Sequence, residues 1–269
     1  MTRAPSWPAA GILALTAVAV LAACGSAIAT SGTTGRTVLT VFAAASLADA
    51  LAATESYRSA TDTTIVLSTD SSTTLRTQIE QGAAADAFLA ADTANPDTLA
   101  AAGLVDGDVV PFAGTLLAIV VPSANPAGIA SPFDLARPGI KVVAAGARVP
   151  ISSYAMTLLE NLATLPGAPA GFVAGYAANV VSHEDNVRAA LAKVELGEAD
   201  AAIVYASDAA ASSAVRTIAI SAQANVVATY AAVVPTTAVA PAAGHAFIKW
   251  LAGPDGQAAL ARFGFEPAP

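Results

Sequence analysis

An α/β fold, with mainly parallel sheets flanked by helices, is the class this sequence predicts, and three observations carry it. Strand-like and helix-like runs alternate from about residue 36 to the C-terminus, the pattern of parallel strands joined by crossover helices. Apolar residues make up 55% of the 269, yet they fall in short interrupted runs, and no stretch after residue 24 is continuous enough to span a bilayer. Two runs, TLLAIVVP at 115–122 and TYAAVVP at 229–235, are long and apolar. With the strand count, they predict two lobes between which the chain crosses twice, with limits at 36–113 plus 236–269 and at 114–235.

The elements follow in order. Arg3 precedes an apolar run from Ala9 to Ala23, which ends at Leu21-Ala22-Ala23-Cys24. This is a secretory signal pattern, too short in its apolar part for a stable membrane helix. It resembles the bacterial lipoprotein signal, in which a cysteine becomes lipidated after cleavage. Residues 1–23 are therefore expected to be a signal peptide and Cys24 a lipid anchor on the outer face of the cell membrane. Cys24 is the only cysteine, so the mature chain has no disulfide and no thiol cage for a metal. Small polar residues from Gly25 to Gly35 suit a flexible tether, giving a linker over 24–35.

Beyond it come a strand at 37–42, a helix at about 47–58, a strand at 63–69 and a helix at about 73–81. DAFLAAD at 86–92, a short helix at 96–102 and the run at 115–122 complete the first half. The second half repeats the theme with IKVVAAG at 140–146, helices at about 150–163 and 187–196, and DAAIVYAS at 200–207. RTIAIS at 216–221, TYAAVVP and two C-terminal helices at about 242–251 and 254–263 close the chain.

Composition narrows the function. The formal charge is −8, which makes nucleic acid a poor partner. A small anion is not excluded, because exposed charges are screened beyond about 8 Å at physiological ionic strength. Serine is abundant, but there are only two histidines, His183 and His245, and no G-x-S-x-G elbow. Neither histidine has a sequence argument for catalysis, and nothing spells a cation site. The expectation is a binding protein without catalytic residues or cofactor, and a monomer.

Two junctions stand out. In VFAAASLADAL a strand ends at Phe42 and a Ser-x-x-Asp box, Ser46 to Asp49, opens a helix; Ser46 suits an N-cap or a ligand group. In STDSSTTLRTQIE a strand gives way to Ser71, Ser72, Thr73 and Thr74 at the start of another helix. Hydroxyl-rich helix starts after adjacent parallel strands share one sheet edge, where open α/β sheets bind ligands. Helix N-termini there offer unpaired N–H groups and a partial positive charge suited to an anion.

FAAASL, the SS-x-x-L-x-x-QIE-x-G-x-x-AD-x-F string from Ser71 to Phe88, VP-x-x-x-YA at 149–155, ED-x-VR-x-AL, AIVYASDA and FIKWLAGPDGQAALARFGF occur here in one order. Together they resemble the molybdate-binding proteins of ABC importers over most of the mature chain. The resemblance implies the type II periplasmic-binding fold, two α/β lobes with an oxyanion in the cleft, and delivery of molybdate or tungstate to a membrane permease. It implies oxyanion contacts from Ser46 and Ser72, from the backbone N–H groups of Ile151 and Val187, and from the Tyr205 hydroxyl. Pro150 at a first helical turn and Asp185 or Asn186 as a cap agree with that reading. Tyr205, on an apolar strand, needs a partner for its hydroxyl if buried, whether ligand or carbonyl.

Two departures from the family pattern are Ser152 and Ser153, which could add hydroxyl contacts or alter closure, and Asp70, expected to be a turn or capping residue facing solvent. Sulfate or phosphate, and behind them a small organic solute, are the alternative cargoes.

Overall fold

The structure, a computed structural model, describes residues 36–269; the signal, Cys24 and the tether lie outside the described residues. Strand β1 (Thr37–Ala44) runs into a 3-10 turn, Ala45–Leu47, and then α1 (Ala48–Ala52). Next come α2 (Glu55–Thr61), β2 (Thr63–Asp70), α3 (Ser72–Glu80), β3 (Ala87–Ala90) and α4 (Ala94–Ala101). The long β4 (Val105–Pro122) leads through a 3-10 turn, Pro132–Ala136, to β5 (Val142–Ala145), α5 (Pro150–Ala163) and α6 (Phe172–Ala178). Then follow β6 (Val180–Glu184), α7 (Val187–Glu195), β7 (Ala201–Tyr205), α8 (Ala206–Ala210) and β8 (Val215–Ile218). The chain closes with β9 (Val227–Pro235), α9 (Pro241–Ala252) and α10 (Pro254–Ala261).

The strands are ordered β2-β1-β3-β9-β4-β7-β5-β6, with β8 paired to β4. β1 is parallel to β2 and β3, and β5 is parallel to β6 and β7. Every antiparallel ladder involves β4 or β9. These two carry the chain between halves: β4 pairs with β9 through residues 105–116 and with β7 through 117–120. The result is the expected α/β class, with parallel pairing in each half and the crossing strands between.

Alternation along β1 and β3 explains why their sequences read as continuous apolar runs. Val41, Ala43, Ala87 and Leu89 face the main core, whereas Phe42, Phe88 and Ala90 face a second cluster with Leu75 and Ile79 of α3. Both faces are covered by helices, as parallel sheets require. Leu75 and Ile79 are one helical turn apart, so a single stripe of α3 seals that face.

The structure departs from the sequence reading in identifiable places. The helix expected at 47–58 is two helices, because the buried Thr54 hydroxyl donates to the Leu51 carbonyl (2.7 Å), the acceptor a continuing helix would use. β4 begins ten residues before the expected start at 115, since register shifts at Asp106/Val110 and Pro111/Ala113 absorb residues that read as a loop. The short polar strand β6 lies last in the strand order and has no apolar alternation to announce it. Helix α6 likewise has no cap signal in its sequence and starts after Gly171 at φ 72°.

Asp86 secures the first half. It is buried and accepts N–H bonds from Thr40 (2.8 Å), Val239 (2.9 Å) and Ala240 (2.7 Å), which joins β1 to the segment leading into α9. α9 packs so close that a Cβ on Gly244 would lie 2.0 Å from the Asp86 carbonyl oxygen.

Candidate functional site

The carboxyl ends of the parallel strands in both halves converge on one small cavity. From the first half it is lined by Ala44, Ala45 and Ser46 after β1, Asp70, Ser71 and Ser72 after β2, and Ala91 after β3. From the second come Val149 and Pro150 at the start of α5, Asn186 and Val187 at the start of α7, and Tyr205 at the end of β7. Its volume is about 10 Å³. Pockets for organic ligands run to about 300–1,000 Å³, so these walls fit a small ion.

Four of the five expected contact residues meet here: Ser46, Ser72, Val187 and Tyr205. Ile151 does not line this cavity. It lies one residue past Pro150, and it lines a separate, mainly apolar cavity with Met156, Leu159 and Tyr176.

The local structure differs from the expectation at the first helix start. Ser46 is not an N-cap: it sits inside the 3-10 turn, buried, with its Oγ 2.8 Å from the Tyr230 hydroxyl. At the second start the cap is Ser71, whose Oγ accepts the Thr74 N–H at 3.2 Å. Ser72 is the first residue of α3, and its Oγ accepts the Ala91 N–H at 3.0 Å, which leaves its own hydroxyl proton to donate elsewhere.

In the second half, Asn186 caps α7 by accepting the Ala189 N–H at 3.0 Å. Val187, the first residue of that helix, has an N–H without an intrahelical acceptor, and the same holds for Ile151 in the first turn of α5. The two departures from the family pattern behave differently. Ser152 donates to the Ala145 and Gly146 carbonyls (3.0 and 2.8 Å) and Ser153 to the Pro150 carbonyl (2.9 Å), so both hydroxyls are spent locally. Asp70, by contrast, faces the cleft and not bulk solvent: it is half-buried, accepts the Ser71 N–H at 2.7 Å and lies 3.5 Å from the Asn186 amide.

Among the described residues that line the cavity, Tyr205 is the one with a buried, unpartnered side-chain polar atom. It is 1% exposed and its hydroxyl has no hydrogen-bond partner. Its ring stands edge-on to Tyr230, with centroids 5.5 Å apart. Burial, followed by the neighbouring Tyr230, pushes its pKa well above the ordinary range, so it is a neutral hydroxyl and a donor. Among the described residues no lysine, arginine or histidine lines the cavity, and Asp70 is its one carboxylate. The donor set is neutral, with helix starts supplying positive potential. A broader groove of about 720 Å³, lined by Thr73, Thr77, Arg148 and Asp185 among others, shares Asp70, Ser71 and Val149 with the cavity. Among the described residues no cluster of His, Cys, Asp or Glu could hold a metal ion, and no helix is long and apolar enough to cross a membrane.

The family model described as bacterial extracellular solute-binding protein matches residues 39–266. The chain belongs to that family. Among solute-binding proteins, the molybdate-binding protein ModA of Mycobacterium bovis is 35% identical over 262 residues, 95% of this chain and 96% of its own. The kinship with molybdate-binding proteins that the motifs announced is thus borne out over nearly the whole chain. Two solved structures share the fold. The periplasmic molybdate-binding protein of Azotobacter vinelandii has a TM-score of 0.71 at 22% identity, covering 86% of this chain and 100% of that one. The sulfate-binding protein SubI of Mycobacterium tuberculosis has a TM-score of 0.74 at 22% identity, covering 86% and 87%.

Sequence reasoning missed Tyr230, which holds Ser46 from β9, and Asn186 as a cavity wall. For Tyr230 the only signal was a tyrosine inside an apolar run; which face of the strand it takes is set by β9's pairing with β3 and β4.

Proposed function

We propose that this solute-binding protein captures molybdate, with tungstate as a cargo of nearly the same size, and hands it to the membrane permease of an ABC importer from a lipid anchor at Cys24. The observation that carries the reading is the buried Tyr205 hydroxyl, without a partner, on the wall of a cavity that also presents Ser46, Ser72 and the N-terminus of α7. Leaving a buried hydroxyl unmatched costs about 1–3 kcal/mol, a cost that an acceptor in the cavity removes. A fully ionised tetrahedral oxyanion is all acceptor, and neutral donors suit it without a counter-charge. The small volume disfavours an organic solute, and the similarity to ModA favours molybdate.

In the proposed cycle, the lobes, taken as 36–113 with 236–269 and 114–235, part along the broader groove. The anion meets Ser46 and Ser72 first, and closure brings Val187 and Tyr205 to complete its shell and exclude water. No covalent chemistry and no cofactor take part.

One observation favours a second reading. Asp70 on the wall would repel a dianion but accept a proton from hydrogen phosphate. Its carboxylate already receives the Ser71 N–H, which reduces that repulsion. Calorimetric titration with molybdate, tungstate, sulfate and phosphate separates the readings. Molybdate and tungstate should bind tightest, and Asp70→Ala should change little; tight phosphate binding that Asp70→Ala abolishes would replace molybdate as the cargo.

A further inference from the structure

Outside the cavity, one guanidinium connects three of the segments that build it. Arg188 follows Val187 on α7. Its Nη2 donates to Asp49 Oδ2 of α1, and its Nε lies 2.8 Å from Asp208 Oδ1 of α8. Asp49 stands three residues after Ser46, and Asp208 three residues after Tyr205. The three side chains therefore join the start of α1 in the first half to the starts of α7 and α8 in the second. Each of those segments contributes one wall of the cavity.

We propose that Arg188 is a positioning residue that latches the two halves over the bound anion, with the buried Asp208 fixing the guanidinium and Asp49 serving as the catch that engages when the halves meet. This rests on the solute-binding reading of the same cavity. The burial is graded in the sense a latch requires. Asp208 is 0% exposed, the Arg188 side chain 29% and the Asp49 side chain 49%. The Arg188–Asp208 pair lies within the second half and stays together when the cleft opens. The Asp49 contact spans the halves and sits where water can replace it. Arginine is the residue for this task, since its planar fork reaches two carboxyl groups at once, whereas a lysine ammonium is a point charge. Neutral contacts also join the halves, among them the Ser46 and Tyr230 hydroxyls at 2.8 Å, the Thr73 hydroxyl donating to the Arg148 carbonyl at 2.6 Å and the Asn186 amide facing Asp70 at 3.5 Å. Among the described residues, the Asp49 contact alone pairs opposite charges across the halves.

The latch predicts a kinetic signature. Opening must break the Asp49–Arg188 contact, so its loss speeds release while leaving capture through the open form unchanged. The full chain bearing Cys24→Ser, with Asp49→Ala or Arg188→Lys added, is followed by stopped-flow release of molybdate. Spin labels at Ala100→Cys on α4 and Ala178→Cys on α6 report the separation of the halves without ligand. Asp49→Ala should raise the release rate about three- to tenfold, hold the association rate within about twofold and leave the ligand-free melting temperature unchanged. It should also widen the distance between the labels, because the contact holds the fraction of ligand-free molecules whose halves have met. Arg188→Lys should fail to restore slow release. Release unchanged in Asp49→Ala, or a wild-type rate in Arg188→Lys, overturns the latch. If the unsubstituted protein binds none of the four oxyanions, the reading of the cavity fails instead. The latch then stands on the label distance alone: a wider distance in Asp49→Ala supports it, and an unchanged one overturns it.

Discussion

Tyr205 and Ser72 line the same cavity, yet their removal should have opposite effects on the fold. The Tyr205 hydroxyl is buried without a partner, so Tyr205→Phe removes an unsatisfied group and should stabilise the ligand-free protein by about 1 kcal/mol. The same change removes a hydrogen bond to a charged acceptor and should weaken oxyanion binding by about 1.5–3 kcal/mol. Ser72 Oγ accepts the buried Ala91 N–H, so Ser72→Ala strands that donor and should cost about 1–3 kcal/mol of stability in addition to affinity. Urea denaturation and calorimetry on the two variants check both signs. Equal stability changes would mean that the Tyr205 hydroxyl is already satisfied.

Asp208 supplies a pH dependence. Burial pushes its carboxyl from the ordinary 3.8 up to about 7, against the pull of the Arg188 guanidinium. Between those values the folded state holds a proton that the unfolded chain releases. Stability from this group is therefore fully present below about pH 4 and declines as pH rises towards about 7. Asp208→Asn should flatten that part of the stability profile, measured as the urea midpoint from pH 5 to 8; a profile identical to that of the unsubstituted protein would remove Asp208 as its source.

At the scale of elements, helix starts do the positioning and close packing holds them in place. α9 presses Gly244 against the backbone of Asp86, and Gly244→Ala would drive a methyl group into a carbonyl 2.0 Å away. The helix or the strand must shift, at a cost of about 3 kcal/mol or more, read as a lower urea midpoint with an unchanged m-value. Most elements were legible in the sequence because both sheet faces are buried and strand runs are bounded by helical stripes. The failures share a cause. Thr54 divides a helix through a side-chain bond to the backbone, the first half of β4 is threaded through two bulges, and β6 is too short and polar to show a period. Each is decided by pairing or by a local hydrogen bond, and apolar patterning is silent about both.

For the whole molecule, the cavity is an interface between halves, so ligand binding and global stability are linked. Oxyanion at about one hundred times its dissociation constant should add about 2.7 kcal/mol to apparent stability, seen as a rise in melting temperature with molybdate that sodium chloride at equal ionic strength does not reproduce. A melting temperature insensitive to all four oxyanions would place the cargo elsewhere.

By itself the sequence determined the α/β class, the two junctions rich in hydroxyl groups and kinship with the molybdate-binding proteins, because strand and helix periodicities, caps and motif order are local properties. It named Ser46, Ser72, Val187 and Tyr205 through that kinship. Only the tertiary structure decided that these four share one small cavity, that Ile151 stands just outside its lining and that Asp70 turns towards the cleft. Tyr230 behind Ser46 and Arg188 between Asp49 and Asp208 were likewise beyond the sequence, since partners 184 and 139 residues apart meet only once β4 and β9 have brought the two halves together.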